Sequence, residues 1–400
     1  MKLLPCAPEF CPRVGCRFHD RETASAHQWY DRFGTFETRC RGPIQRFRCR
    51  ECGKTCSTQT FSVHYWTHST GNLVRLLELF YTCAGMRQIG RMTGVTHRVV
   101  QNRYRRLARN ALAVMDEVLA GLELDEDLAF DGFESYTRSQ YHPNNITHIA
   151  GSDSQFVYAA VHSLLRRKGS MTKPQKRQRA LIDSVWSAKT TLAEQCSLMF
   201  RDLAPVIDAG CETRPDGVTL HSDFHPSYPG AIRSSVLLTR RLKEGTLTHR
   251  RTSSRAARTT SNPLFPSNYV DRQLRKNLAE HVRETVRQGR EVNSQMERMA
   301  MFMVLHNFLT PHRITGQANA LECETHADRV GIGGKRIEWF LHRLTTNRHV
   351  YSHTSSAQWW IRRIWLHLHE NPPTVTRRRG VTRERRVALG PAAVPRYLLA

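Results

Sequence analysis

The cysteines near the N-terminus constrain this chain more than any other sequence feature. Seven of the eleven cysteines lie before residue 57. Four of these seven form two close pairs, Cys11/Cys16 and Cys49/Cys52. Two cysteine pairs in tight turns deliver four thiolates to one tetrahedral Zn²⁺, and Gly53 supplies the positive φ that the second turn needs. The spacing therefore predicts a structural zinc ribbon over residues 1–68.

Two other polar residues leave the zinc ligand set open. Cys6 and His19 both lie close to the first cysteine pair, so either could replace one of the four thiolates. Buried cysteines without metal are the alternative. The N-terminal decapeptide carries one Lys and a short apolar stretch, which is too little for a secretory signal. Clustered cysteines without such a signal favour a reducing, cytoplasmic location.

The charge of the chain indicates a polyanionic partner. Sixty Lys and Arg residues against 35 Asp and Glu residues give a net charge of +25. Most of the basic residues are Arg, whose guanidinium group suits bidentate phosphate contacts. The ribbon itself carries several of them, which either touch DNA phosphates or form a solvated face. No apolar run is long enough to span a bilayer, so a membrane protein is not expected.

Residues 69–122 carry the pattern of a helix-turn-helix. Apolar spacing predicts one helix over residues 73–84 and two short helices on either side of Gly94, with Thr96 as the N-cap of the second. The outer face of that second helix is basic and polar, with side chains of the types that read base edges and phosphates. These candidates are Arg98, Gln101, Asn102, Arg103, Arg105 and Arg106. A plain helical hairpin is the alternative.

Residues 123–313 have an α/β pattern. Three successive strands are predicted over 128–136, 145–151 and 155–162, followed by a helix over 187–203. A further strand ends at Asp223, and a helix is predicted over 293–313. Asp131 lies within the first strand and Glu297 in the first turns of the last helix, so three separate segments supply carboxylates.

Carboxylates in this arrangement are suited to Mg²⁺, which takes a few carboxylates together with substrate phosphate oxygens. Two such ions would activate the attacking hydroxyl and stabilise the leaving oxygen at phosphorus. The predicted ligands are Asp131, Asp223 and Glu297, with Glu284 as the alternative third acid. The acids Glu126, Asp127 and Glu134 are interpreted as ordinary surface charges or salt-bridge partners.

The order of these parts resembles a known family. The phrases are Phe130-Asp-Gly-Phe-Glu-Ser, Leu220-His-Ser-Asp-Phe-His-Pro-Ser-Tyr and Gln295-Met-Glu-Arg, followed by His306-Asn-Phe and Pro311-His. Together with the zinc ribbon and helix-turn-helix, they resemble the zinc-ribbon-bearing transposases of bacterial insertion sequences. The resemblance implies an RNase H-like core with a DDE triad, DNA ends and target DNA as partners, and a homo-oligomer on DNA in a bacterial or archaeal nucleoid.

Two basic stretches lie between the predicted acids, over 166–179 and 240–258. They are expected to be loops or frayed helices that hold DNA, with Arg250 and Arg251 as contacts. Residues 314–400 are expected to be helical, with amphipathic helices at 336–344 and 359–368 and a flexible basic tail.

Two other functions compete with transposition. The first is a domesticated, catalytically inactive DNA-binding regulator, which would have no reason to keep acids that repel DNA. The second is a metal-dependent nuclease without strand transfer, which would use the same metal site.

Overall fold

The computed structural model describes most of the chain as a mixed α/β protein. The described residues are 8–13, 15–65, 67–188, 191–282, 287, 289–313, 323–346, 372–378 and 381–385. Cys6, Glu284 and the predicted helix over 359–368 lie outside these ranges.

A small antiparallel sheet forms the N-terminal part. Its strands are β1 (Tyr30–Thr38), β2 (Gly42–Cys49) and β3 (Thr55–Ser57), in the order β1-β2-β3. A 3₁₀ helix (Arg17–His19) and helix α1 (Arg21–Ser25) precede them. Phe10, Trp29 and Phe47 pack with the cysteines in a hydrophobic core that is separate from the main one. This part therefore has its own small core.

Three helices follow the small sheet. They are α2 (Leu73–Phe80), α3 (Met86–Thr93) and α4 (His97–Ala120). Gly94 adopts the left-handed conformation with φ of 68° after α3, and the Thr96 hydroxyl accepts from the N–H of Val99 at the start of α4. The predicted turn and N-cap are both present. Helix α4 is 24 residues long rather than short, because apolar residues continue along one face into the main core.

A five-stranded sheet forms the centre of the protein. Its strands are β4 (Leu128–Tyr136), β5 (Pro143–Gly151), β6 (Val157–Leu164), β7 (Val218–Ser222) and β8 (Leu247–Arg251). Their order is β6-β5-β4-β7-β8. The first three strands form the predicted antiparallel meander, whereas β7 pairs parallel to β4 and β8 pairs parallel to β7. Strand β8 was not predicted from the sequence.

Helices cover both faces of this sheet. They are α5 (Lys173–Asp183), α6 (Leu192–Thr213), α7 (Ser227–Arg233), α8 (Val236–Glu244), α9 (Phe265–Asn277), α10 (Val292–Leu309), α11 (His326–Arg329) and α12 (Gly334–Thr346). Phe130 on β4 packs edge-on against Phe200 of α6. Side chains alternate along a strand, so its neighbour Asp131 points to the opposite face, where α9 packs. Helix α10 packs on β6 and on α4.

The two basic stretches between the acids are more ordered than predicted. The first contains α5, which begins with a capping box at Thr172, and Arg166 and Arg179 both pair with Asp183. The second contains α8 and β8, and Arg240 and Arg241 both pair with Asp208 of α6. Of the two predicted alternatives, loops or frayed helices, the helical one fits α5 and α8, whereas strand β8 fits neither. Ion pairs within the protein hold both stretches.

The C-terminal part differs from its prediction in one respect. Helix α12 contains the predicted helix over 336–344, but the basic tail forms a β-hairpin of β9 (Thr374–Arg378) and β10 (Val381–Arg385). The hairpin is attached to the main body, since Arg138 donates to the Thr374 hydroxyl and Gln178 donates to the Val375 carbonyl. A flexible arm was thus the wrong expectation for these residues.

The main core is continuous from the N-terminal helices to the sheet. Buried residues from α2, α3 and α4 pack in the same cluster as residues of the sheet and of α10 and α12. Within the described residues, no helix has the length and apolar character needed to cross a bilayer.

Candidate functional site

The register of the parallel strands brings Asp131 and Asp223 together. Leu128 pairs with Leu220 and Ala129 with His221. The same register, continued by two residues, sets Asp223 level with Asp131, one residue beyond the end of β7. The Asp223 charge acts directly on Asp131. Carboxyl ends of parallel strands are the usual place for ligands in such sheets. Asp223 lies at such an end, and Asp131 lies level with it within β4.

A third acid, Asp271, joins this pair from helix α9. His148 lies directly opposite Asp131 on β5, and its Nε2 atom is 3.7 Å from Oδ1 of Asp271. The Asp271 side chain is 27% exposed, yet its Oδ1 atom is buried and accepts no hydrogen bond. We call Asp131, Asp223 and Asp271 the acid cluster.

The pKa values of two acids in the cluster, Asp131 and Asp271, are both raised above the ordinary value for Asp. The pKa of Asp131 is raised to about 6, mainly by burial and also by the charges of Asp223 and Asp271, against the opposing N–H of Gly132. Burial likewise raises the pKa of Asp271 to about 7, although Arg275 and Arg258 oppose that shift. Burial lowers the pKa of His148, against the opposing charge of Asp131. A cation would relieve this repulsion.

The acid cluster fits Mg²⁺ in the nature of its ligands. Carboxylate oxygens are the donors that this ion prefers, and the buried Oδ1 of Asp271 accepts no hydrogen bond. The ligand atoms are spread out, however. Among the described residues, only the N-terminal cysteines bring three or more such atoms within 4.8 Å of one another.

The predicted third ligand, Glu297, lies elsewhere. Its side chain on α10 is almost fully buried against α4, with Oε1 3.7 Å from Nε of Arg105. The charges that act on its pKa belong to Arg105, Arg109, Arg298 and Glu291, and neither strand aspartate is among them. The structure therefore does not bring Glu297 to Asp131 and Asp223, because its position on α10 faces the N-terminal helices. Burial raises its pKa to about 7 all the same.

Sequence reasoning missed Asp271. The segment over 265–277 carries no strong motif. Its helix lies near Asp131 because it follows β8 and packs on β4 and β5. The available signal was an acid on an amphipathic segment directly after the basic stretch, at Tyr269-Val-Asp-Arg-Gln-Leu.

The acids interpreted as structural have structural contacts. Glu126 is buried and accepts from the backbone N–H groups of Asp153 and Ser154 and from the Tyr158 hydroxyl. Asp127 pairs with Arg214 at 2.9 Å. Glu126 is thus a buried turn-stabilising acid rather than a surface charge.

The predicted DNA-reading residues of α4 divide into two groups. Arg98 and Asn102 are exposed and Gln101 is half-buried, so these three lie on an accessible face. The others make contacts within the protein. Arg103, only 8% exposed, donates to the Ser69 hydroxyl and the Thr70 carbonyl.

Arg106 and Arg105 are also directed inward. Arg106 donates to the Val63 and Tyr65 carbonyls, and Arg105 faces Glu297. The expectation that Arg103, Arg105 and Arg106 read DNA is therefore not supported by their positions, since each contacts the polypeptide.

Arg250 and Arg251 lie next to the acid cluster. Both are exposed on β8, where Arg251 pairs in register with Ser222, the residue before Asp223. The Thr252 N–H donates to the Ser222 carbonyl at 2.8 Å and extends this pairing. The backbone of Arg251 therefore lies one strand position from Asp223.

The four predicted cysteines form one cluster. Their Sγ atoms all lie within 4.8 Å of one another, with Cys11 to Cys52 at 3.6 Å and Cys16 to Cys49 at 3.7 Å. Four thiolates around a tetrahedral ion with Zn–S bonds of about 2.3 Å lie about 3.8 Å apart, so the spacing fits zinc. His19 is not a member of this cluster, and its Nδ1 atom hydrogen-bonds with the Cys11 carbonyl.

The local backbone explains why the cysteines converge. Gly53 has φ of 67°, as predicted, and lets the chain turn so that its N–H donates to the Cys49 carbonyl. Burial raises the pKa of Cys11, so thiolates at this site need a cation. The cluster can therefore hold a structural metal ion such as zinc.

Comparison with known proteins adds no relative. No protein-family model matches this chain, and no curated protein matches it either.

Proposed function

We propose that this protein is a transposase that uses Mg²⁺ to cut the 3′ ends of an insertion sequence and join them to target DNA. The single observation that carries the proposal is the acid cluster, which joins Asp131 within β4, Asp223 at the end of the parallel strand β7 and Asp271 of α9. Carboxylates that repel one another and repel phosphate are tolerable in a +25 protein when divalent metal neutralises them.

In this proposal Asp131, Asp223 and Asp271 are the three acids, and Asp271 takes the place predicted for Glu297. Bound Mg²⁺ ions would activate the attacking water or 3′-hydroxyl and stabilise the leaving oxygen. The protein's own contribution is to hold the three carboxylates on rigid elements. Ser222 and the following turn fix Asp223, whose Oδ1 accepts from the N–H of His225.

The fold supports this assignment. An antiparallel meander of three strands, extended by two parallel strands on the side of the first, is the arrangement expected of an RNase H-like core. The acids occupy its first strand, the end of its fourth strand and the helix after its fifth. The zinc ribbon precedes this core in the chain, as the resemblance implies.

The N-terminal helices supply a DNA-binding surface in this proposal. Helices α3 and α4, joined by the turn at Gly94, form the helix-turn-helix. The start of α4 would enter the major groove, since Arg98, Gln101 and Asn102 lie on its accessible face near the N-terminus. Arg250 and Arg251 would hold phosphates near the acids.

A DNA-binding regulator without catalysis is the second candidate. The accessible face of α4 favours it, because that face would suffice for binding. The acid cluster argues against it, since a protein that only binds DNA gains nothing from carboxylates beside Arg250 and Arg251. A nuclease without strand transfer would share every feature of the acid cluster.

One experiment separates these functions. Full-length, zinc-loaded protein is incubated with Mg²⁺ and labelled duplexes taken from the DNA flanking the coding sequence, together with a target plasmid. We expect 3′-end cleavage and joined products, with neither product for Asp131→Asn. Cleavage without joining identifies a nuclease. Sequence-specific binding without cleavage, equal in wild type and Asp131→Asn, identifies a regulator and overturns the proposal.

A further inference from the structure

An exposed aromatic ring lies directly beside the acid cluster. Phe224 follows Asp223 in the chain and keeps 57% of its surface exposed. The turn around it is fixed, because the Asp223 carboxylate accepts from the N–H of His225 at 2.8 Å. A phenyl ring in water has an unfavourable hydration free energy, and few large apolar side chains among the described residues are as exposed. The ring is therefore available to a ligand.

A cation accompanies this ring. The guanidinium carbon of Arg251 lies 5.3 Å from the Phe224 ring centroid. Arg251 is anchored by its strand, since it pairs in register with Ser222 on β7. An aromatic ring with an adjoining guanidinium group is the combination that binds single-stranded nucleic acid, where bases stack on rings and cations contact the backbone.

The acid cluster explains why such a pair is needed. Carboxylates repel the phosphates on either side of the one that reacts, so the DNA strand must be held by contacts that do not depend on metal. A phenyl ring can do so through a base, because stacking needs no charge on the protein. Stacking also tolerates any DNA sequence, since every base has a π-face.

Building on the proposed function, we propose that Phe224 stacks on an unpaired nucleobase next to the reacting phosphate, while Arg251 contacts the adjoining phosphate. In an intact duplex both faces of each base are covered by neighbouring bases. The ring can stack only where the strand is locally unpaired or unstacked. The site then accepts a DNA strand end or a distorted junction in preference to intact duplex.

The test uses two DNA probes that differ only in their bases. Each is a duplex with a 3′ overhang of about six nucleotides, made of thymidine in one probe and of abasic sugars in the other. Both carry the same phosphates, so their affinity ratio reports base contacts. Binding is measured without Mg²⁺, with the full-length, zinc-loaded protein, so that no cleavage occurs.

We expect the wild type to bind the thymidine overhang about tenfold more tightly than the abasic one. Phe224→Ala removes this preference and leaves abasic binding unchanged, whereas Phe224→Trp retains it. Arg251→Ala weakens binding to both probes, because phosphate contacts are common to them. Phe36→Ala is the matched control: Phe36 is an exposed ring on β1, 41% exposed and remote in sequence, and this variant keeps the preference.

Equal affinity of the wild type for both probes overturns the inference, and so does a preference that survives in Phe224→Ala. These failures are distinct from failure of the proposed function. Equal affinities together with Mg²⁺-dependent cleavage refute only the role of Phe224. A Phe224-dependent preference in a protein that never cuts DNA refutes only the transposase.

Discussion

The cysteine cluster and the acid cluster both gather ligands for cations, yet the chain builds them in different ways. The four cysteines lie within 42 residues, in two close pairs presented by turns of one small unit with its own core. The three acids come from β4, the end of β7 and α9, over 140 residues of chain. A site whose ligands lie close together in the chain can be predicted from the sequence. A site assembled across a sheet depends on strand order and register.

The two clusters also differ in how completely they are closed. All four sulfur atoms lie within 4.8 Å of one another, but the acids do not meet that limit. A closed tetrahedral set is typical of a structural ion, and an open set leaves room for substrate oxygens. The difference predicts separate consequences when each site is damaged.

The largest expected effect is the loss of zinc binding by the cysteine cluster. Replacing Cys49 and Cys52 together by Ser should abolish zinc binding and unfold the ribbon, because structural zinc supplies about 10 kcal/mol or more of folding free energy to such units. Elemental analysis should show about one zinc per chain in the wild type and none in the variant. The exposed Cys40 provides the control, since Cys40→Ser should keep its zinc. Zinc retained in the double variant would show that Cys49 and Cys52 are not zinc ligands.

The next effect separates Asp271 from Glu297. Asp271→Asn should lower the Mg²⁺-dependent cleavage rate by about 1,000-fold or more, because metal positioning and electrostatic stabilisation account for most of catalysis in phosphoryl transfer. Glu297→Gln should change the rate by no more than about threefold, since Glu297 faces Arg105 and not the acid cluster. Single-turnover cleavage of a labelled duplex measures both. The reverse ranking would restore Glu297 as the third acid.

A smaller effect concerns the pH dependence of stability. Burial raises the pKa of Glu297 from 4.5 to about 7 in the folded state. The folded protein therefore holds this proton more tightly, and the free energy of unfolding should fall as pH rises from about 4.5 to 7, by at most about 3 kcal/mol from this group. Glu297→Gln should lose that part of the slope. Urea denaturation at pH 5 and pH 8 compares the two proteins. An unchanged slope in the variant would show that Glu297 is already ionised in the fold.

The smallest effect tests the inward-facing arginines of α4. Arg103→Ala should destabilise the protein by about 1–3 kcal/mol, because it removes bonds from a buried guanidinium group to the Ser69 hydroxyl and the Thr70 carbonyl. Arg98→Ala, on the exposed start of the same helix, should leave stability nearly unchanged and weaken DNA binding. Thermal melting and a DNA-binding titration give the two readouts. Arg103→Ala with wild-type stability and altered DNA specificity would return Arg103 to the DNA-reading face.

The sequence by itself determined the parts of this protein whose physics is local. Four features depend on neighbours a few residues away: the cysteine spacing, the turn glycines Gly53 and Gly94, the N-cap at Thr96 and the strand segments of β4 to β6. The same holds for the strand that ends before Asp223.

The tertiary structure decided which distant residues meet. Sequence periodicity placed Glu297 on a helix and gave no candidate at Asp271, and only the packing of α9 on β4 and of α10 on α4 shows which acid faces Asp131. In the same way, a basic helical face predicted six DNA contacts, while burial against the segment before α2 and against α10 turned Arg103, Arg105 and Arg106 inward. Strand pairing and helix packing act between residues far apart in the chain, so no local pattern encodes them.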